Sequence, residues 1–405
     1  MQQIAPIPAR RATLAILAVA TAIGALGLAA GGSAGALLAE DMTGSTAWAG
    51  FPLGVLVVGS ALSALLIARE TSRAGRGHGL VLGYLGGAAG AVLVVAAAVV
   101  DDLALLLAGS AALGAANAAI FLTRYAAIDL GGESGGGRAL GVVFFATALG
   151  AVASPNLLGP SGDLAEAVEL PRLSGLYLVA VVAFLVAGLL LAILPRRALP
   201  VGSEQAVARR ELRVALRSAR TALLVLGATN LVMVAVMAIA PVHLTEHGHS
   251  LDFIGVVIGI HVLCMFAPSP LTGWLADRAG SGTVAGIGAV LLAAAGVSGV
   301  LFDMTDGATM TAMLALLGLG WNAGVVGGST MLAASVPASM RPQTEGIGEV
   351  AMGLAAGAGA PVAGLIVAFG DFTTLSIAGA VGGVLVFAAV RLGGETPQQP
   401  AAEAR

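Results

Sequence analysis

Runs of apolar residues, one after another with hardly a charge inside them, decide what this chain can fold into. The stretch 80–100, LVLGYLGGAAGAVLVVAAAVV, contains no charge at all. A membrane span needs roughly 20 such residues, and the sequence offers twelve candidates, at roughly 12–38, 46–68, 80–100, 103–124, 139–159, 174–194, 221–243, 252–276, 283–302, 308–335, 345–369 and 373–390. A soluble chain of 405 residues would need far more charge to cover its surface than the 10% present here against 58% hydrophobic residues. The expected fold class is an all-α polytopic membrane protein. Arg10 and Arg11 imitate the basic start of a signal peptide, but the run behind them is too long for one and is followed by eleven more. It reads as a retained helix.

The charges that remain are sorted by side. All 19 basic residues are Arg. With the N-terminus placed in the cytoplasm, every one except Arg172 falls in an inner segment, including Arg124 and Arg138 between the fourth and fifth runs. The outer loops carry acids such as Glu40, Asp41, Asp101, Asp102, Asp303, Asp306 and Asp371. The positive-inside rule then puts both termini in the cytoplasm, in agreement with an even number of spans.

A shift of 205 positions lays one half of the chain over the other without a gap. It pairs Ser45 with Ser250, Arg73 with Arg278, Gly75 with Gly280, Asp101 with Asp306 and Asn117 with Asn322. Two six-helix bundles in a parallel repeat follow, with a bundle over 1–195, a linker over 196–220, a second bundle over 221–391 and a disordered tail over 392–405. In the linker, Ser203 is placed to cap a basic amphipathic helix suited to an anionic membrane surface; a solvated linker is the alternative.

The two copies of one short inner loop carry the clearest motif. Residues 273–280 read GWLADRAG, and the earlier copy, 68–75, reads ARETSRAG. Twelve runs in a 6+6 repeat, a basic central segment and this loop resemble the major facilitator superfamily, most closely its 12-helix drug/proton antiporter members. Gly273, Leu275, Asp277, Arg278 and Gly280 match the family's loop, while the first copy keeps Arg73, Gly75 and Arg76 but has Ala68 and Ser72 where Gly and Asp belong. The resemblance implies a cytoplasmic gate that must break when that side opens. Asp277 is expected to cap the start of the fifth helix near Arg138 and Ala139, and Arg278 to find an acid. Ser72 has no charge to offer, so Glu345 and Glu349 are expected to reach Arg73 and Arg76 instead. Gly150, Ser154, Pro155 and Gly159 resemble the antiporter pattern of helix 5. The family's helix 4 Arg is replaced by Ser110, and helix 1 lacks a buried acid.

Ionisable and amide groups inside spans are functional candidates by default. His261 and Glu349 are the proton-coupling candidates, with a neutral interhelical His and a structural acid as the alternatives. Asn117, Asn230, Trp321 and Asn322 are the substrate-cavity candidates, with helix-to-helix hydrogen bonding as the alternative for each amide. His243, His247, Glu246 and His249 in HLTEHGH read as a solvated loop, not a metal site. No cofactor, nucleotide fingerprint or catalytic constellation is expected. The sequence thus leads to a monomeric secondary transporter of the plasma membrane, surrounded by lipid and independent of nucleic acid. Its expected work is proton-coupled export of neutral or lipophilic small molecules. Uptake of a small nutrient is the alternative, and a membrane-embedded lipid-modifying enzyme a remote one.

Overall fold

A computed structural model describes residues 7–45, 48, 50–132, 134–153, 157–195, 198–199 and 209–393. Among them the chain is helical, with no strand. The first half runs α1 (Ile7–Thr43), α2 (Phe51–Ala74), α3 (Arg76–Val100), α4 (Leu103–Gly131), α5 (Gly136–Ala153), α6 (Leu158–Ala167) and α7 (Gly175–Ala192). A short surface helix, α8 (Arg209–Ser218), leads to the second half: α9 (Arg220–Glu246), α10 (Leu251–Phe266), α11 (Ser269–Ala279), α12 (Ser281–Leu301), α13 (Gly307–Ser335), α14 (Arg341–Phe369) and α15 (Phe372–Leu392). Eleven helical stretches, one of them α10 and α11 together, are long and apolar enough to cross a membrane, and Gly136–Ala151 is a shorter apolar one. Large apolar side chains such as Leu66, Leu189 and Leu385 face outward, as lipid-facing surfaces require.

Local chemistry sets the helix ends. Asp102, Ser250, Asp306 and Asp371 each accept a backbone N–H three residues on, from Leu105, Phe253, Thr309 and Thr374, so each caps the helix that follows. Hydrogen bonds from the Thr374 backbone and hydroxyl hold the Asp371 carboxyl below the usual carboxylate range. Asp306, which the shift of 205 pairs with Asp101, does the capping that Asp102 does in the first half, while Asp101 ends α3 at φ 55°. The halves are therefore one residue out of step at this turn. Gly75 and Gly280 turn α2 into α3 and α11 into α12 at φ 99° and 89°, backbone that favours Gly in both repeats. Ser203, like the tail from 394, lies outside the described residues, and the linker helix begins in view at Arg209.

Helices pack by removing side chains where they cross. A Cβ on Gly288 of α12 would lie 2.4 Å from the Gly324 nitrogen of α13, and one on Gly83, its counterpart in α3, would meet the Ala119 side chain of α4 at 2.7 Å. The same small-residue crossing is thus used twice. Gly288→Leu is expected to lower stability by roughly 1–3 kcal/mol through overpacking, read as a fall in the thermal midpoint in detergent. Gly255→Leu, where nothing lies within 4 Å of the added Cβ, is expected to leave the midpoint unchanged.

Candidate functional site

The two halves meet in a stack of polar and aromatic contacts that starts at the basic end of the bundle, where α1 begins and α15 ends. At that surface Asp277 accepts from the backbone N–H groups of Gly137 at 2.6 Å and Arg138 at 3.0 Å, with the Arg138 Nε at 3.4 Å. An acid from one half thus caps α5 of the other, as its place in the loop predicts. The backbones touch here: a Cβ on Gly273 would lie 2.0 Å from the Gly137 carbonyl oxygen. In the other repeat the equivalent contact is neutral. Gln343, the counterpart of Arg138, donates to the Ser72 hydroxyl at 2.9 Å, and Gly346 of α14 packs on Ala68.

Next comes a charged tetrad in which Arg76 and Glu345 are buried. The Arg76 guanidinium forks onto Glu345 at 2.8 and 3.2 Å and reaches Asp129 at 2.6 Å, and Arg341 meets the other Asp129 oxygen at 2.8 Å. The Arg76–Glu345 pair expected from the sequence is present. Glu349 does not join it and Arg73 does not cross, because Arg73 lies on the surface beside Glu70 one turn back. Among the described residues Arg278 likewise takes no acid; its guanidinium lies 5.4 Å from the ring of Trp274 in its own helix.

One turn deeper along α14, about 6 Å on, Glu349 accepts from Arg124 of α4 at 2.5 Å. Arg124 is fully buried and all three of its nitrogens are engaged: Nε on the Ser329 hydroxyl, Nη1 on the Phe121 carbonyl, and Nη2 on Glu349, the Tyr125 hydroxyl and the Met352 sulfur. Ser329 is the residue that the shift of 205 positions pairs with Arg124. The sequence placed Arg124 in an inner loop and gave Asp129 no role. Helix α4 instead continues to Gly131, and the signal was there in Ile128 and Leu130, apolar residues that prolong the helical pattern past the charge.

Above the ion pair lie aromatic rings. Phe144 of α5 stacks on Trp321 of α13 with centroids 6.3 Å apart and planes at 10°, and Phe266 meets both edge-on at 5.7 and 5.4 Å. Trp321 Nε1 donates to the Asn230 carbonyl oxygen at 2.9 Å, and the Asn230 amide donates to the Met352 carbonyl at 2.8 Å. Asn230 and Trp321 are therefore brought together beside the Arg124–Glu349 pair, with Met352 touching both Asn230 and Arg124. Asn117 and Asn322 are not: Asn117 donates to Ser60 of α2, while Asn322 holds Met265 and Ser269 and accepts from Thr272. Both tie a helix to its neighbour within one half.

His261 stands apart, buried between α10 and α13. Its Nδ1 lies 2.8 Å from the Leu314 carbonyl, which can only accept, so Nδ1 carries the hydrogen. Nε2 is left buried without a partner. His243 and His247 stack at 4.3 Å, and His249 contacts the Thr305 carbonyl; among the described residues no group of three His, Cys, Asp or Glu is arranged for a metal ion. In the helix 5 motif, Gly150 lets α1 approach, since a Cβ there would lie 2.0 Å from the Ala22 carbonyl oxygen, whereas Gly159 faces open space. Ser154 and Pro155 lie outside the described residues.

The Arg124–Glu349 pair yields a stability prediction. Glu349→Ala leaves a buried guanidinium without its counter-charge and is expected to cost about 3–5 kcal/mol. The double variant Arg124→Leu/Glu349→Leu, with no charge left behind, is expected to melt nearer the unsubstituted protein. Thermal unfolding of the purified set checks this ordering.

Comparison with known proteins follows the geometry. The family model of the Major Facilitator Superfamily matches residues 12–321 and again 222–405. The MFS-type transporter YddS of Bacillus subtilis is 36% identical over 392 residues, covering 93% of this chain and 90% of that one. The riboflavin transporter RfnT of Brucella anthropi is 29% identical over 349 residues, covering 85% and 86%. Among solved structures, the E. coli fucose:proton symporter FucP superimposes with a TM-score of 0.77 over 96% of this chain and all of that one, at 16% identity. That likeness speaks for the fold alone.

Proposed function

The chain belongs to the major facilitator superfamily, whose members and solved neighbours here are membrane transporters and not enzymes, and we propose that it works by alternating access with proton coupling at Glu349. In this reading the chain crosses the membrane twelve times, as two six-span halves (1–195 and 221–391) joined by 196–220. Both termini lie in the cytoplasm of a cell whose plasma membrane holds the protein as a monomer. The basic end is then the cytoplasmic gate, shut in this structure, with Arg73, Gly75, Arg76, Gly273, Asp277, Arg278, Gly280 and Glu345 as its parts.

The buried Arg124–Glu349 pair carries the proposal. It joins the two halves, so opening the gate must separate its charges. Parting them in a low-dielectric interior leaves each uncompensated, at a cost of several kcal/mol per ion. A proton on Glu349 removes one of those charges, and the carboxyl then leaves the guanidinium cheaply. Arg124 keeps its bonds to the Phe121 carbonyl and the Tyr125 hydroxyl of its own helix when the second half moves away. His261, with its unpartnered Nε2, is the second coupling candidate. The cargo is a neutral or lipophilic small molecule that meets Asn230 and Trp321. Asn117 and Asn322 hold the helices that shape the cavity.

Export is the leading direction, supported by the antiporter-like Gly150 crossing. Uptake of a small nutrient is the alternative direction. Everted vesicles and right-side-out cells, each loaded across an imposed pH gradient, separate the two directions. Gradient-driven accumulation is expected to collapse with a protonophore. Glu349→Gln is expected to lose that accumulation while keeping exchange between equal concentrations on both sides. Normal accumulation by the Gln variant would overturn coupling at Glu349.

A further inference from the structure

We propose that Phe144 and Trp321 are the two faces of a clamp for a planar, neutral heteroaromatic ring, which is the part of the cargo the protein recognises. This rests on the transport reading above and narrows its substrate to one chemical class.

Three observations converge on this spot. First, the rings are parallel to within 10°, both are 1% exposed, and they belong to different halves. When the halves part, two flat faces with a shared normal are uncovered together. A guest ring in van der Waals contact needs about 3.5 Å on each side, so a modest separation admits one. Second, Phe266 lies at a steep angle to both rings and Phe121 to Phe144, so further aromatic surface closes the side of the slot. A chain only 4% aromatic has gathered these rings at one place. Third, the slot has polar reading groups at its edge. Asn230 uses one amide hydrogen on Met352 and one lone pair on Trp321. The second hydrogen and second lone pair remain, a donor and an acceptor side by side, suited to a ring edge bearing adjacent N–H and C=O groups.

Position and charge agree. Trp321 is the middle residue of α13, and Phe266 ends α10 where Pro268 interrupts the span. Transporter sites form near the midplane, at the repeat interface, beside broken helices. The Arg124 guanidinium lies 5.9 Å from the Phe144 ring, but Glu349 neutralises it. Neither a cationic nor an anionic guest finds an unpaired counter-charge in the slot. Any guest that displaces Phe144 also disturbs the packing of Arg124, which links cargo to the ion pair.

The test uses purified full-length protein with Trp48→Phe and Trp274→Phe, so that Trp321 is the sole indole, and lumichrome, a neutral tricyclic imide, as the probe. Saturable quenching of Trp321 is expected. Phe144→Leu should weaken it about five- to tenfold, the worth of one lost stacking face, and Phe144→Tyr should restore it. Inositol, neutral but not aromatic, should not compete. Unsaturable quenching, equal binding by Phe144→Leu, or competition by inositol would each overturn the clamp. Should Phe144→Leu not fold, Trp321→Leu read by lumichrome anisotropy must lose binding, and retained binding overturns the proposal. Cysteines placed across the gate, at Ser72 and Gln343, whose side chains already meet there, report alternating access separately. If they cross-link and separate normally while lumichrome fails to bind, the clamp fails alone; if they never separate, the transport reading fails with it.

Discussion

A guanidinium and a carboxylate shut away from water set the terms for the rest of this molecule. Arg124 and Glu349 come from opposite halves, and neither has a water-filled retreat. A buried pair of this kind adds little net stability compared with apolar residues of the same size. Its effect is conditional: while both groups are charged, the halves must stay together. The contacts stacked around it share that logic. Arg76 with Glu345 and Asp129 adds charge nearer the surface, and Asp277 adds a helix cap at the rim. On the midplane side the seal is aromatic, so the chemistry shifts from ionic to apolar as the stack enters the membrane.

The proposed two-repeat reading accounts for where this stack can form. An axis relating two parallel repeats brings residues near it onto their own counterparts, which is why Arg124 donates to Ser329. Equivalent positions on the axis are under no pressure to stay identical, because each meets the other and not itself. Glu349 and Phe144 are counterparts, and both lie against the same guanidinium, one as an ion and the other as a ring face. In that reading symmetry supplies the location, and the difference between the copies supplies a complementary pair.

How much of this could be read in the sequence depended on whether a residue's partner was local or distant. The spans were legible because apolar length is a one-dimensional property. Asp277 on α5 and Arg76 on Glu345 were legible because short loops leave their side chains few places to go. Arg278 went elsewhere for a local reason: Trp274 lies four residues back on the same helix. Arg73 did the same with Glu70. Arg124 was misplaced because charge alone was read as the end of a span, although the apolar pattern continued past it. Nothing in the sequence could pair Asn230 with Trp321, since that bond depends on how α9 and α13 rotate against each other.

The two rim contacts are equivalent in position and unequal in kind, and the inequality bears on how the gate opens. At one, a carboxylate holds two backbone N–H groups and faces a guanidinium; at the other, a hydroxyl holds a side-chain amide. Hydrogen bonds with a charged partner are roughly twice as strong as neutral ones. The α2–α14 side therefore has the weaker rim, yet the charged tetrad lies beneath it, with Glu345 of α14 on Arg76 at the start of α3. On the α5–α11 side the order is reversed, with the ionic contact at the surface and close-packed Gly backbones below: a Cβ on Gly141 would lie 2.2 Å from the Ser269 carbonyl oxygen. Water reaching the rim can replace the Ser72–Gln343 bond at little cost but cannot hydrate Arg76 and Glu345 until the helices have already moved. The resistance to opening on that side is thus set by buried charge, and Glu349 lies on the same helix one turn further in. In the proposed coupling, a single proton delivered there would loosen the side whose rim is already the weaker one and give the rocking of the halves a preferred edge from which to start.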